Sequence, residues 1–161
     1  MNKDIILIIG ASSDIGIDLI SNIDNGTLIL AHYNSSKKRL VKLAKKIDNE
    51  LVIIKADLSI EDQTRTMVKD IEKIYGVPNK IIHLAAPKFA NIRFKDIDLD
   101  DFQKEIEISL KSLIIILSSF LPKLAKEKQG KVVCILSSVV LNIPPKALTQ
   151  YTTVKYALLG L

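Results

Sequence analysis

Tyr151 and Lys155 lie four residues apart in a segment that reads as helix, and that spacing sets both side chains on one helix face. A tyrosine phenol ordinarily titrates near pH ~10. An ammonium held beside it stabilises the phenolate and draws that value down. A phenol so tuned can donate a proton to a carbonyl oxygen near neutral pH, or take one from an alcohol. Ser138 falls directly beyond an apolar run at 131–136, where its hydroxyl can hold the same oxygen. Taken alone the Tyr-x-x-x-Lys spacing is weak, since a lysine-rich chain of this length produces it by chance with a probability of ~0.3. Its weight comes from where the serine and the tyrosine fall among the surrounding elements.

A second cluster stands near the N-terminus. Gly10, Ala11, Ser12, Ser13, Asp14, Ile15 and Gly16 follow the first apolar run and open a helical pattern. That is the setting a phosphate-cradling loop requires. Gly10 permits the tight turn, and Gly16 lets the helix approach the strand. The helix N-terminus offers unpaired N–H groups and partial positive charge to a pyrophosphate, and Ser12 and Ser13 add hydroxyl donors. The same residues also read as a plain small-residue turn with Ser13 or Asp14 as N-cap. Asp14 adds negative charge where an anion would dock, so it is expected to point away or to cap.

The elements that must position these residues alternate along the chain. Residues 5–9 form a short, β-branched run of the kind expected for a strand buried on both faces. Helical patterning follows at 15–23, a strand at 27–31, a helix at 37–47 and a strand at 51–55. A helix at 61–75 carries the stripe Met67, Val68, Ile71 and Ile74. A strand at 80–84 comes next, then one long helix or a broken pair from 101 to about 128. Gly130 ends it, a fifth strand runs 131–136, Pro144 and Pro145 break the chain, and a last helix starts near Thr149. This βαβα order predicts a single α/β domain over 1–161, a doubly wound parallel sheet of the Rossmann kind. A ligand should then sit at the carboxyl ends of the strands, where both clusters fall.

Composition sets the outer bounds. The chain has 161 residues, 48% of them hydrophobic, which suits a globular core. The single cysteine, Cys134, stands in an apolar run and reads as a packing residue; it offers no disulfide and no metal cluster, and a reducing, cytoplasmic home fits. The first four residues lead into only five apolar ones, too few for a secretory leader. The longest apolar stretch, 113–117, falls far short of a membrane span. The net charge of +5 comes from lysines interleaved with acids along the helices, which argues for solvated faces and against a nucleic-acid partner.

Taken together, these motifs resemble the short-chain dehydrogenase/reductase family, and the resemblance covers the whole chain. The family's Thr-Gly-x-x-x-Gly-x-Gly is similar to Ile9 through Gly16, its serine and Tyr-x-x-x-Lys to Ser138, Tyr151 and Lys155, and its strand-three acid to Asp57, followed by Leu58. The resemblance implies hydride transfer between a nicotinamide cofactor and a carbonyl or alcohol. Tyr151 would be the acid/base, Lys155 would tune it and hold the nicotinamide ribose, and Ser138 would polarise the substrate oxygen. Three positions depart from the pattern. Residues 83–86, His83-Leu84-Ala85-Ala86, stand for Asn-Asn-Ala-Gly: Ala85 and Ala86 leave room for cofactor, while His83 reads as a satisfied structural histidine. Ser109 stands at the asparagine of the catalytic tetrad, and Asp14 at the middle glycine.

The residues after the second strand speak to cofactor choice. A site for the unphosphorylated dinucleotide usually places an acid there to bind the ribose 2′-hydroxyl. Here Tyr33, Asn34, Ser35 and Ser36 precede Lys37, Lys38 and Arg39, with no acid, so NADP(H) is expected over NAD(H). A polar loop leading into a lysine-rich helix accounts for the same residues. Relatives continue beyond a last helix such as this one, so a chain cut off before its substrate-binding end is expected. Leu110, Leu113, Ile114, Leu117, Leu121 and Leu124 would then lack cover, and a homodimer or homotetramer is expected. The leading function is an NADP-linked reductase of the 3-oxoacyl or sugar-ketone type. The alternatives are a non-catalytic NADP-binding protein with a degenerate site, and an interaction module on the same fold.

Overall fold

The computed structural model describes residues 4–88 and 90–161; residues 1–3, the head of the segment read for a leader, and Phe89 lie outside it. Strands β1 (Ile5–Ile9), β2 (Leu28–Tyr33), β3 (Glu50–Lys55), β4 (Lys80–His83) and β5 (Lys131–Cys134) form one parallel sheet in the order β3-β2-β1-β4-β5. Helices α1 (Asp14–Ser21), α2 (Lys37–Ala44) and α3 (Glu61–Tyr75) alternate with the first four strands. The chain builds outward from β1 to β3, then returns to place β4 on the other side of β1. The order therefore reverses between β1 and β4, where a doubly wound sheet opens its ligand crevice.

Alternation along the strands explains the two layers. Leu7, Ile9, Leu28 and Leu30 face one side with Met67, Val68 and Ile71 of α3, and with Ile116 and Phe120 of the long helix described below. Ile6, Ile8, Ile29, Ala31 and Tyr33 face the other with Ile20 of α1 and with Leu40 and Leu43 of α2. Each strand residue thus chooses a layer by the period-two pleat, and the uninterrupted apolar run at Ile5–Ile9 reflects cover on both faces.

Several boundaries differ from the sequence reading. β2 runs on through His32 and Tyr33 because β3 continues to offer partners, pairing His32 with Ile54 and Tyr33 with Lys55. β5 stops at Cys134, two residues short of expectation, because its partner β4 ends at His83. α2 stops at Ala44 rather than at residue 47. The long helical stretch is continuous: α4 (Leu99–Ile106), a π-helical turn (Glu107–Lys111) and α5 (Ser112–Lys126) follow without a break. Asp98 caps its start, accepting from the amides of Asp100 and Asp101.

At 28 residues, this helix is long and apolar enough to cross a membrane by length and composition, which the short run at 113–117 did not suggest. Core helices of globular domains share that property, and here Leu113, Ile116, Phe120 and Leu124 are buried against the domain. Two of the six leucine and isoleucine side chains expected to lack cover, Leu113 and Leu124, are therefore covered. Ile114 and Leu121 are exposed, and Leu110 and Leu117 lie between. The last helix, α6 (Thr149–Leu159), packs through Val154 and Leu158 against Leu113, Phe102 and Ile106, and leaves Tyr156 and Leu159 exposed.

Candidate functional site

The shape of the glycine loop depends on close backbone contact that leaves no room for side chains. Gly10 has φ +80°, and a Cβ there would stand 2.9 Å from the Ala85 nitrogen. A Cβ on Gly16 would meet the Ala11 carbonyl oxygen at 2.4 Å, so α1 approaches the loop as closely as a bare backbone allows. Ser13 is the N-cap of α1, its hydroxyl accepting from the Gly16 amide at 3.1 Å. Over this loop lies an open cleft of about 490 Å³. Gly10, Ser12, Ser13, Asp14, Ala85 and Ala86 line its end nearest the loop, while Ile15 and Gly16, in the first turn of α1, do not line it.

The other end of the cleft is lined by Asn34, Ser35, Ser36, Arg39 and Leu58. Tyr33 does not join them. Its side chain is turned into the α1–α2 layer and buried, because the pleat sends it to the face opposite its neighbours. The expectation that Tyr33 contacts cofactor is corrected on that ground. Asp57 stands just beyond β3 with its carboxylate tied down. It accepts from the Ser59 hydroxyl at 2.6 Å and the Ser59 amide at 3.0 Å, and the hydroxyl bond chiefly holds it below the usual carboxylate range. Asp14 points out to solvent and pairs with Arg39 at 2.5 Å. An ion pair this exposed is worth little, ~0–1 kcal/mol, so it yields readily to a better anion.

Tyr151, Lys155, Ser138 and Ser109, expected from the sequence to handle a proton, gather on the far side of the β1/β4 reversal. Lys155 is buried, its ammonium 5.7 Å from the centre of the Tyr151 ring and donating at 2.9 Å to the carbonyl oxygen of Ile135, just past β5. Burial lowers its pKa, an effect opposed by the nearby Cys134 and Glu105. Cys134 itself is half-buried, its thiol pushed up by burial. Ser138 opens a 3₁₀ turn (Ser138–Val140), capped by the Ser137 hydroxyl, that packs against α6. Ser109 lies buried in the π-helical turn, which also packs against α6. π-turns are rare and are frequently found at functional sites.

A smaller cavity of about 280 Å³ adjoins Tyr151. Ile92, Ile108 and Leu148 supply apolar wall, and Lys104, Glu105 and Gln150 supply polar groups. Burial raises the Glu105 carboxyl. Gln150 is buried with its Oε1 lacking a partner among the described residues. Sequence reasoning missed Glu105 and Gln150. The only signal was indirect: Gln150 precedes Tyr151, and Glu105 lies four residues before Ser109 on the same helix.

Residues 4–161 match the family described as short chain dehydrogenase. The chain belongs to the short-chain dehydrogenase family. An uncharacterised oxidoreductase of Staphylococcus epidermidis is 20% identical over 98% of the chain and 68% of its own length. A sulfoacetaldehyde reductase of Chromohalobacter salexigens is 23% identical over 85% of the chain and 55% of its own length. Among solved structures, a blue fluorescent protein from a metagenomic library, in complex with NADPH, superposes with TM-score 0.84 at 21% identity, over 99% of the chain and 66% of its own. A short-chain dehydrogenase/reductase of Saccharomyces cerevisiae superposes with TM-score 0.81 at 23% identity, over 96% and 61%. At these identities the likeness to the solved structures is one of fold. The chain spans roughly half to two thirds of the proteins it matches.

For a short-chain dehydrogenase, the departure at His83 is the one with a clear energetic consequence. The ring is buried and its Nε2 has no hydrogen-bond partner among the described residues, so it is not the satisfied histidine expected. Desolvation first, then the positive charge of Lys155 and the neighbouring His32, push its pKa down to about 3 from the ordinary 6.5. Below pH 6.5 the unfolded chain takes up a proton that the folded chain refuses. Stability must therefore fall as pH falls from about 6.5 toward about 3. Urea titrations should show His83→Asn losing less stability than the parent between about pH 6.5 and about pH 4, the difference approaching ~3 kcal/mol. Parallel losses in the two proteins would contradict the assignment.

Proposed function

We propose that this chain carries the cofactor-binding and proton-transfer portion of a reductase that moves hydride between NADP(H) and a carbonyl or alcohol, of the 3-oxoacyl or sugar-ketone type. The observation that carries this reading is Lys155: a buried ammonium anchored to Ile135 O and set 5.7 Å from the Tyr151 ring, beside a glycine-lined cleft. The cleft suits a dinucleotide because Gly10 and Gly16 leave it open and α1 presents its N-terminus to it. When bound, NADPH supplies the hydride. Tyr151 gives its phenolic proton to the substrate oxygen as the carbonyl carbon accepts hydride, so the product is an alcohol. Lys155 stabilises the negative charge left on the phenol oxygen, and Ser138 orients the carbonyl. A structural neighbour in complex with NADPH and a reductase relative support the same direction.

Preference for NADP(H) rests on Asn34, Ser35, Ser36 and Arg39, which line the cleft with no carboxylate among them. Their hydroxyls, amide and guanidinium suit a 2′-phosphate. A non-catalytic NADP-binding role is the second reading, favoured by Ser109 in place of the tetrad amide. Self-association through α5 and α6 is also part of the proposal, supported by exposed Ile114, Leu121, Tyr156 and Leu159.

Replacing Tyr151 with Phe should lower turnover of a reducible ketone by about 100-fold or more while leaving NADPH affinity within about threefold; equal turnover would remove Tyr151 from the reaction. Asp14→Asn should release Arg39 and tighten NADPH binding by about threefold with NADH unchanged, read by fluorescence titration. Equal tightening for both cofactors would show that the ion pair does not touch the 2′-phosphate subsite. Sedimentation should find a dimer or tetramer, and a monomer at high concentration would contradict the α5–α6 association.

A further inference from the structure

His32 is the penultimate residue of β2. Its ring is buried at 2% exposure, yet both ring nitrogens have partners on different parts of the fold. Nδ1 accepts from the Gly10 amide at 3.1 Å. Nε2 lies 3.0 Å from the carbonyl oxygen of Ala56, just beyond β3. A backbone amide can only donate and a carbonyl can only accept, so the ring is neutral and carries its proton on Nε2. The backbone of the same residue adds a further tie, its carbonyl accepting from the Ala11 amide at 2.9 Å. One residue thus binds two successive amides of the glycine loop and links them to the end of β3.

We propose that His32 is a positioning residue for the cofactor: its neutral ring fixes the Gly10 amide, and through it the loop that cradles the pyrophosphate, and protonation of the ring releases that loop. The proposal rests on the reading of the cleft as an NADP(H) site. Gly10 has no side chain of its own to hold it, and its φ of +80° is a conformation that other residues rarely adopt. Without the Nδ1 acceptor, its amide would be a part-buried donor lacking this partner, and the loop would relax to find one.

A proton on Nδ1 would set two N–H donors against each other across 3.1 Å. The charged groups around the ring come from every element it meets. Asp57 beyond β3 attracts the protonated form, whereas His83 on β4 sits close enough for the two rings to repel when charged. The Asp14–Arg39 pair and Lys88 border the same cleft, facing it from α1, from α2 and from the segment after β4. Burial outweighs the attraction and holds the ring's pKa below the ordinary 6.5, so the ring is neutral at pH 7 and gives way on the acid side.

Two substitutions separate the two bonds. In His32→Asn the amide oxygen takes the place of Nδ1, keeping the Gly10 bond without a titrating ring. In His32→Gln the amide nitrogen takes the place of Nε2, keeping the Ala56 bond and losing Gly10. The Gly10 amide is followed by hydrogen exchange in the NMR spectrum, and NADPH and NADH affinities by fluorescence titration. NADH is included because the 2′-phosphate of NADPH itself takes up a proton near pH ~6. At neutral pH, His32→Gln should exchange Gly10 about tenfold faster and bind cofactor about tenfold more weakly, while His32→Asn stays within about twofold of the parent. Below the ordinary histidine pKa of 6.5, NADH affinity should fall with pH in the parent and stay flat in His32→Asn.

Equal Gly10 exchange in the parent and His32→Gln, or equal pH slopes in the parent and His32→Asn, would overturn the proposal. Should His32→Gln fail to fold, the parent and His32→Asn decide it through their pH series of Gly10 exchange. Should the parent bind neither cofactor, the cofactor reading falls, and Gly10 exchange still decides whether His32 holds the loop.

Discussion

The backbone of Gly10 passes so close to that of Ala85 that a methyl group on it would stand 2.9 Å from the Ala85 nitrogen. The rest of the site depends on this closeness. β1 and β4 are neighbours in the sheet, and one leads at its carboxyl end into the glycine loop and the other into Ala85 and Ala86. A side chain at Gly10 would push these segments apart and fill the entrance to the cleft. With none there, the N-terminus of α1 comes to the floor of the crevice, the place where a helix offers its positive end to an anion.

The second dependence is a buried charge. An ammonium withdrawn from water is costly unless its donors are used. Lys155 meets that condition with the Ile135 carbonyl, a group that β5 leaves unpaired just beyond its last residue, and with the face of Tyr151. The early end of β5 thus has a role: it presents a carbonyl for the lysine. The same ammonium raises the cost of protonating His83, so the sheet edge holds one positive charge and a histidine kept neutral beside it.

How far the sequence could be read varied with the kind of interaction. The strand and helix order was legible where a run is apolar throughout, as at Ile5–Ile9, or where a helix shows a clean stripe, as with Met67, Val68 and Ile71. The glycine loop was legible because Gly10 and Gly16 bracket a helix start, although only the backbone contacts show why both must be glycine. Tyr33 was misread because the end of β2 depends on how long β3 continues beside it, which is a pairing between distant residues. His83 and His32 look alike in the sequence. One has an orphaned ring nitrogen and the other has both nitrogens paired, a difference set by partners far along the chain. The sequence placed Ser109 in the long helix, but the π-turn around it left no periodic trace.

The most direct test of the central claim, that the crevice between β1 and β4 is a dinucleotide site selective for the 2′-phosphate, is a fluorescence titration of this chain with NADPH and NADH in parallel. The account predicts saturable binding of both, with NADPH tighter by about tenfold or more. Saturation by neither cofactor, or a tighter grip on NADH, would contradict it.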